Sequence, residues 1–146
     1  MTSIRRRRAV QGLLTSAAVV AATLVALPQP AHATIDPNCS DRNGGPVQLW
    51  WAQDHTGATI CLRNSIYNMA NPATYFPNNG TGAGQRVWDN SASAANHDTH
   101  WIAILWSDPG YSGSRVDLNV AGEYGSWAWN LGSVTNKNSS LSWTAP

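Results

Sequence analysis

The chain has 146 residues with eight Trp, two Cys, only 12% charged side chains and a formal charge of +1. That length fits one domain. Four of the nine basic residues are Arg5, Arg6, Arg7 and Arg8, so the remainder is mildly acidic and lacks the basic patch that nucleic acid or an anionic membrane surface requires.

Those four arginines open a secretory signal. Leu13 to Leu27 follows as 15 uncharged, Ala-rich residues, and Ala31-His32-Ala33 is an A-x-A cleavage signature. The stretch is short for a membrane span. We expect residues 1–33 to be removed, leaving 113 residues with five basic and eight acidic side chains, a net charge of −3. The expected location is extracellular, with no membrane contact after cleavage. In an exported chain, Cys39 and Cys61 read most simply as one disulfide. Closing a loop of this size adds about 3 kcal/mol.

Residues 34–46 read as an irregular lead-in. Strand character follows at Val47–Trp51, Thr59–Leu62, Gln85–Trp88, Trp101–Trp106, Ser114–Leu118 and Ser140–Trp143, with Trp127–Asn130 as a further candidate. Val116, Leu118 and Val120 alternate with Asp117 and Asn119, as in a half-buried strand. No helical stripe occurs after residue 33. Short strands between Gly-rich turns predict an all-β sandwich. Residues 63–84 interrupt the rhythm as a long loop carrying Tyr67, Tyr75 and Phe76. These rings either pin the loop to the sandwich or face a partner.

The chain also repeats itself. Leu49–Gly57 (LWWAQDHTG) aligns without a gap on Leu105–Gly113 (LWSDPGYSG). Each reads aromatic-x6-Gly, with a second ring, His55 or Tyr111, two residues before the Gly. A small polar cluster follows in each half, DNSASA from Asp89 and TNKNSS from Thr135. The pattern predicts two Greek-key units of about 45–55 residues, one at about 46–97 and one at about 102–146. In each, an aromatic (Trp50, Trp106) packs over a hairpin whose Gly (Gly57, Gly113) takes a conformation a Cβ would penalise. A later hydroxyl, that of Ser140 and its counterpart, clamps the hairpin.

Aromatic-x6-Gly followed by [Asn/Asp]-[Asn/Asp]-x-x-[Ser/Thr]-Ser resembles the motif pair of the βγ-crystallin superfamily. The resemblance covers about residues 46–146 and implies two Greek-key motifs forming one βγ-crystallin-like sandwich. Thr135 departs from the pattern at the first position. The first cluster departs whichever way it is read, as DNSASA or, one residue earlier, as WDNSAS. The signal peptide, the Cys-anchored lead-in and the stretch VWDNSASAAN also resemble the secreted bacterial metalloproteinase inhibitors of peptidase inhibitor family I36. That resemblance implies a monomer that occludes the cleft of a secreted metalloprotease without chemistry of its own. The second disulfide expected of those inhibitors cannot form here, and no reactive-loop position matches residue by residue.

The superfamily resemblance also implies calcium between the two motifs, with Asp89, Asn90, Ser93, Asn136 and Ser139 as candidate ligands. A purely structural clamp explains the same residues. No cofactor is otherwise required. His97-Asp98-Thr99-His100 lacks a third ligand nearby and is a poor metal motif. No nucleophile elbow, zinc-protease helix, phosphate loop or carboxylate pair is present, so the sequence does not read as an enzyme. The second functional reading is a calcium-stabilised structural module or a glycan- or cell-wall-binding, killer-toxin-like module, with Trp and Asn lining a sugar platform.

Overall fold

The computed structural model describes residues 33–146 except 78, 123–125 and 129. The expected signal segment, apart from Ala33, and Trp129 lie outside the described residues. No described helix is long and apolar enough to cross a membrane.

The described residues form eight strands: β1 (Thr34–Ile35), β2 (Val47–Trp50), β3 (Thr59–Arg63), β4 (Ser93–Asn96), β5 (Ile102–Asp108), β6 (Ser112–Leu118), β7 (Trp127–Ala128) and β8 (Ser140–Thr144). A 3-10 turn spans Gly132–Val134. The strands make two antiparallel sheets, β1-β3-β2-β4-β7 and β6-β5-β8. Leu49, Leu62 and Ala94 of the first sheet and Ala103, Leu105, Leu118 and Leu141 of the second fill one buried core.

The two units exchange pieces. β7 lies beyond the second hairpin in sequence yet pairs with β4 of the first sheet, Ala94 opposite Ala128 and Ala95 opposite Trp127. Reciprocally, Ile66 follows the first hairpin but bonds to Leu141 of β8, with its amide 2.7 Å from the Leu141 carbonyl and the return bond at 3.0 Å. Neither unit can therefore close its sheet without the other.

Two expectations are corrected. Gln85–Trp88 is not a strand; only an isolated bridge joins Arg86 to Tyr75. The strand is Ser93–Asn96, hidden from propensity because Ser, Ala and Asn are weak strand formers. It is central, between β2 and β4's other neighbour β7, and all four of its residues are buried. The lead-in is not wholly irregular. β1 pairs with β3, and Cys39 is disulfide-bonded to Cys61 with Cα atoms 5.8 Å apart. The Asp36 carboxylate also accepts hydrogen bonds from Arg42 and Arg63.

Candidate functional site

The hairpin clamps come first, because they set the register of the motifs. Ser140 donates its hydroxyl to the Asp108 carbonyl at 2.7 Å and accepts the Tyr111 amide at 3.1 Å. Ser93 does the same one unit earlier, donating to the Ala52 carbonyl at 2.6 Å and accepting the His55 amide at 3.1 Å. Trp50 lies opposite Ser93 and Trp106 opposite Ser140 in the ladders. Gly57 and Gly113 share a φ of 82°. At Gly113 this φ favours glycine, and a Cβ would also displace the Asp108 carboxylate and the Ser107 hydroxyl. Ser93 is thus a hairpin clamp: its hydroxyl proton and one of its two acceptor positions are spent on the hairpin. Replacing either Ser93 or Ser140 with Ala should cost about 2 kcal/mol, similar in the two copies, because each leaves the same pair of backbone groups without its hydroxyl. Urea denaturation checks this, and a difference of more than about 1 kcal/mol between the copies contradicts their equivalence.

With Ser93 matched to Ser140, the first cluster is read as Trp88-Asp89-Asn90-Ser91-Ala92-Ser93. Asp89 then corresponds to Asn136, and both have positive φ, 53° and 52°. The two clusters lock reciprocally: the Asp89 amide donates to the Asn138 carbonyl at 3.0 Å, and the Asn136 amide to the Ser91 carbonyl at 2.9 Å. Asn138, unremarked in the sequence, is fully buried at their junction. Its side-chain oxygen accepts the Ser91 amide, while its nitrogen reaches the Val87 carbonyl.

Of the five candidate calcium ligands, only Asp89 and Ser139 meet. Ser139 donates to the Asp89 carboxylate at 2.8 Å and accepts the Trp88 indole N–H at 3.1 Å. The mirror-related position pairs Asn136 with Ala92, which has no hydroxyl. The Asn90 and Asn136 side chains join neither bond. Calcium takes six to eight oxygens and gains affinity with their charge. One carboxylate beside a hydroxyl already covered by an indole donor does not fit it. Among the described residues no cluster of three or more His, Cys, Asp or Glu is placed to hold a metal. We expect the melting temperature to be unchanged at millimolar calcium; a rise of several degrees would show that a cation joins this pair.

The long loop folds flat. Ile66, Met69 and Phe76 enter the core. Of the two readings given for these rings, Phe76 takes the pinning one and is not a partner contact: it anchors the loop from inside. Tyr67 and Tyr75 are about half exposed, with Tyr67 edge-on to Tyr111 at 5.6 Å.

The feature that sequence reasoning missed is a groove of about 500 Å³ where the lead-in, the end of β3 and the β4–β5 turn converge. Gly44 and Gly45 form one side, Arg63, Asn64 and Ser65 another, and Asp98, Trp101 and Trp143 the rest. The turn that presents Trp101 is built from the buried Asn96 and Asp98. Asn96 donates to the Trp101 carbonyl at 2.7 Å, and one Asp98 carboxylate oxygen accepts the His100 and Trp101 amides at 2.8 and 3.0 Å. Trp101 is left 45% exposed. Trp143, in β8 opposite Ala103, has a buried indole N–H with no acceptor among the described residues. Nearby, His97 contacts Asp41 and Gln48 and not His100, so the two His of that tetrapeptide do not converge on one point.

Trp127 is half exposed rather than core, edge-on to His55 at 4.9 Å, and His55 lies 4.4 Å from Trp50. Burial lowers the His55 pKa, outweighing the Ala94 and Ala128 carbonyls and Asp54, which favour the charged ring. For Asp36, burial works to raise the pKa, but the Asn38 amide and the Arg63 bond and charge overcome it and hold the carboxyl low. Unfolded His55 gains its proton as pH falls through about 6.5 while the folded ring resists, so stability drops with acid there. Asp36 contributes stability above the ordinary carboxylate range and loses it as pH falls further toward its lowered value. Melting temperature should thus fall in two stages between about pH 7.5 and 3, with His55→Asn removing the upper one. Asn suits that site because it tolerates the positive φ of 54°.

Comparison with known proteins agrees with this architecture. No family model matches the sequence, and no curated protein matches it. A solved structure from work on the evolution of the eye-lens βγ-crystallin domain fold superposes with a TM-score of 0.56 at 13% identity, covering 79% of this chain and 99% of that one. The N-terminal domain of protein S gives a TM-score of 0.48 at 18% identity, covering 69% of this chain and 97% of that one. With two interlocked Greek keys, paired hairpin clamps and this structural match, the chain has the βγ-crystallin domain fold.

Proposed function

We propose that the chain is an exported, non-catalytic binding module that holds a saccharide in the Trp101–Trp143 groove. The observation that carries this is the groove itself: an exposed indole beside a second tryptophan, ringed by the carboxylate, guanidinium, amide and hydroxyl of Asp98, Arg63, Asn64 and Ser65. A few convergent polar groups around an aromatic surface suit a ligand that has both apolar faces and hydroxyls. The protein contributes shape and hydrogen bonds and no chemistry. Binding to insoluble cell-wall polysaccharide, followed by pull-down of the mature chain, tests the reading. Retention lost in Trp101→Ala supports it; wild-type protein that stays in solution with every polysaccharide overturns it.

One observation favours a second reading, protease inhibition. The 63–84 loop is pinned by Phe76 and Met69 yet displays Tyr67 and Tyr75, and a preorganised loop lowers the ordering cost of docking. Titration against several secreted metalloproteases tests it, and no inhibition at micromolar concentration would remove it.

A further inference from the structure

The charges around the groove are unevenly placed, and this points to the class of saccharide. Asp36 is a single carboxylate shared by two guanidinium groups, those of Arg42 and Arg63. It also accepts the Asn38 amide at 2.9 Å. One positive charge is left over in this triad. Arg63 donates to Asp36 only through Nε, and its terminal nitrogens donate no hydrogen bond to the described residues. Its side chain is about one-third exposed. It also borders both the main groove and a smaller neighbouring one lined by Thr34, Ile35, Asp36 and Pro37. A ligand running from one groove to the other must cross Arg63.

Asp98 has the opposite character. It is 3% exposed, one carboxylate oxygen is committed to the turn, and the other takes no hydrogen bond from the described residues. Where it borders the groove, its carboxylate offers an acceptor for hydroxyl hydrogens and disfavours an anion beside it. A sugar chain therefore meets an indole surface, an acceptor for hydroxyls and, away from that acceptor, a half-tethered guanidinium whose free edge matches a carboxylate.

We propose that the groove selects an acidic glycan, a chain of sugar units bearing carboxylates, with a carboxylate on Arg63, a ring against Trp101 and hydroxyls on Asp98. This rests on the saccharide-binding reading above. The test is calorimetric titration of the mature, disulfide-bonded chain with an oligouronide and with the same oligosaccharide after its carboxyls are reduced to alcohols. We expect the oligouronide to bind at least about tenfold more tightly, with the advantage shrinking at about 0.5 M salt. Arg63→Gln should erase the advantage by weakening the oligouronide more than the reduced sugar, and Trp101→Ala should weaken both. Equal or tighter binding of the reduced sugar to wild-type protein overturns the acidic preference and leaves the groove reading standing. Binding of neither overturns the acidic-glycan proposal, and the polysaccharide pull-down decides the groove reading separately. Because the wild-type comparison and its salt dependence need no variant, the proposal stays falsifiable if Arg63→Gln loosens the lead-in.

Discussion

Phe76→Ala lowers the unfolding free energy by about 3–5 kcal/mol, the usual cost of emptying a buried aromatic site. The residue is 2% exposed and shares the core with Ile66, Met69 and Val87, which flank it along the chain. The loss should therefore spread. The loop would detach from β8, where the Ile66–Leu141 and Met69–Ser139 backbone bonds hold it. Tyr67→Ala and Tyr75→Ala, on the exposed side of the same loop, should cost less than about 1 kcal/mol each. Urea denaturation of the three variants measures the contrast. If Phe76→Ala were as mild as the tyrosine variants, the loop would be a surface appendage and not part of the core.

Asn138→Ala is the second large effect, at about 2–4 kcal/mol. The side chain is fully buried where the two clusters meet, and it satisfies the Ser91 amide from across the junction. Truncation leaves that amide buried without an acceptor and opens a small void beside Met69. Asn136→Ala, two residues earlier and exposed, loses only the tolerance of Asn for its positive φ of 52° and should cost about 1 kcal/mol. Equal effects at both positions would mean that the reciprocal backbone bonds alone hold the motifs together. Because Asn138 joins one unit to the other, its loss should not produce an intermediate with one unit folded; a single cooperative transition is expected.

The groove and the loop divide the functional readings in an instructive way. The loop drew attention in the sequence because it was long and aromatic, and long irregular segments are often functional. Its apolar residues instead complete the sandwich, and the exchange of Ile66 onto β8 explains why it must be there. The groove drew no attention because its walls come from residues 44–45, 63–65, 98, 101 and 143. No local pattern connects positions so far apart. The one local signal was His97-Asp98-Thr99-His100, read as a poor metal motif. Its Asp98 is the residue that shapes the turn under Trp101.

What the sequence by itself determined is the repeated architecture. Aromatic-x6-Gly written twice prescribes two tight hairpins, because backbone sterics restrict what can occupy a positive-φ position inside a folded turn. An even pair of cysteines led to the disulfide by a similarly local argument. The register of the first polar cluster was not legible. Two readings one residue apart looked equally defective, and only the pairing of Trp50 with Ser93 decides that Ser93 is the clamp. Nor was β4 legible: Ser, Ala, Ala and Asn form a central strand because flanking strands and covered faces leave room only for small side chains. The exchange of β7 and Ile66 between units, the burial of Asn138 and the groove all depend on long-range contacts whose free energy exists only once the whole sandwich has closed.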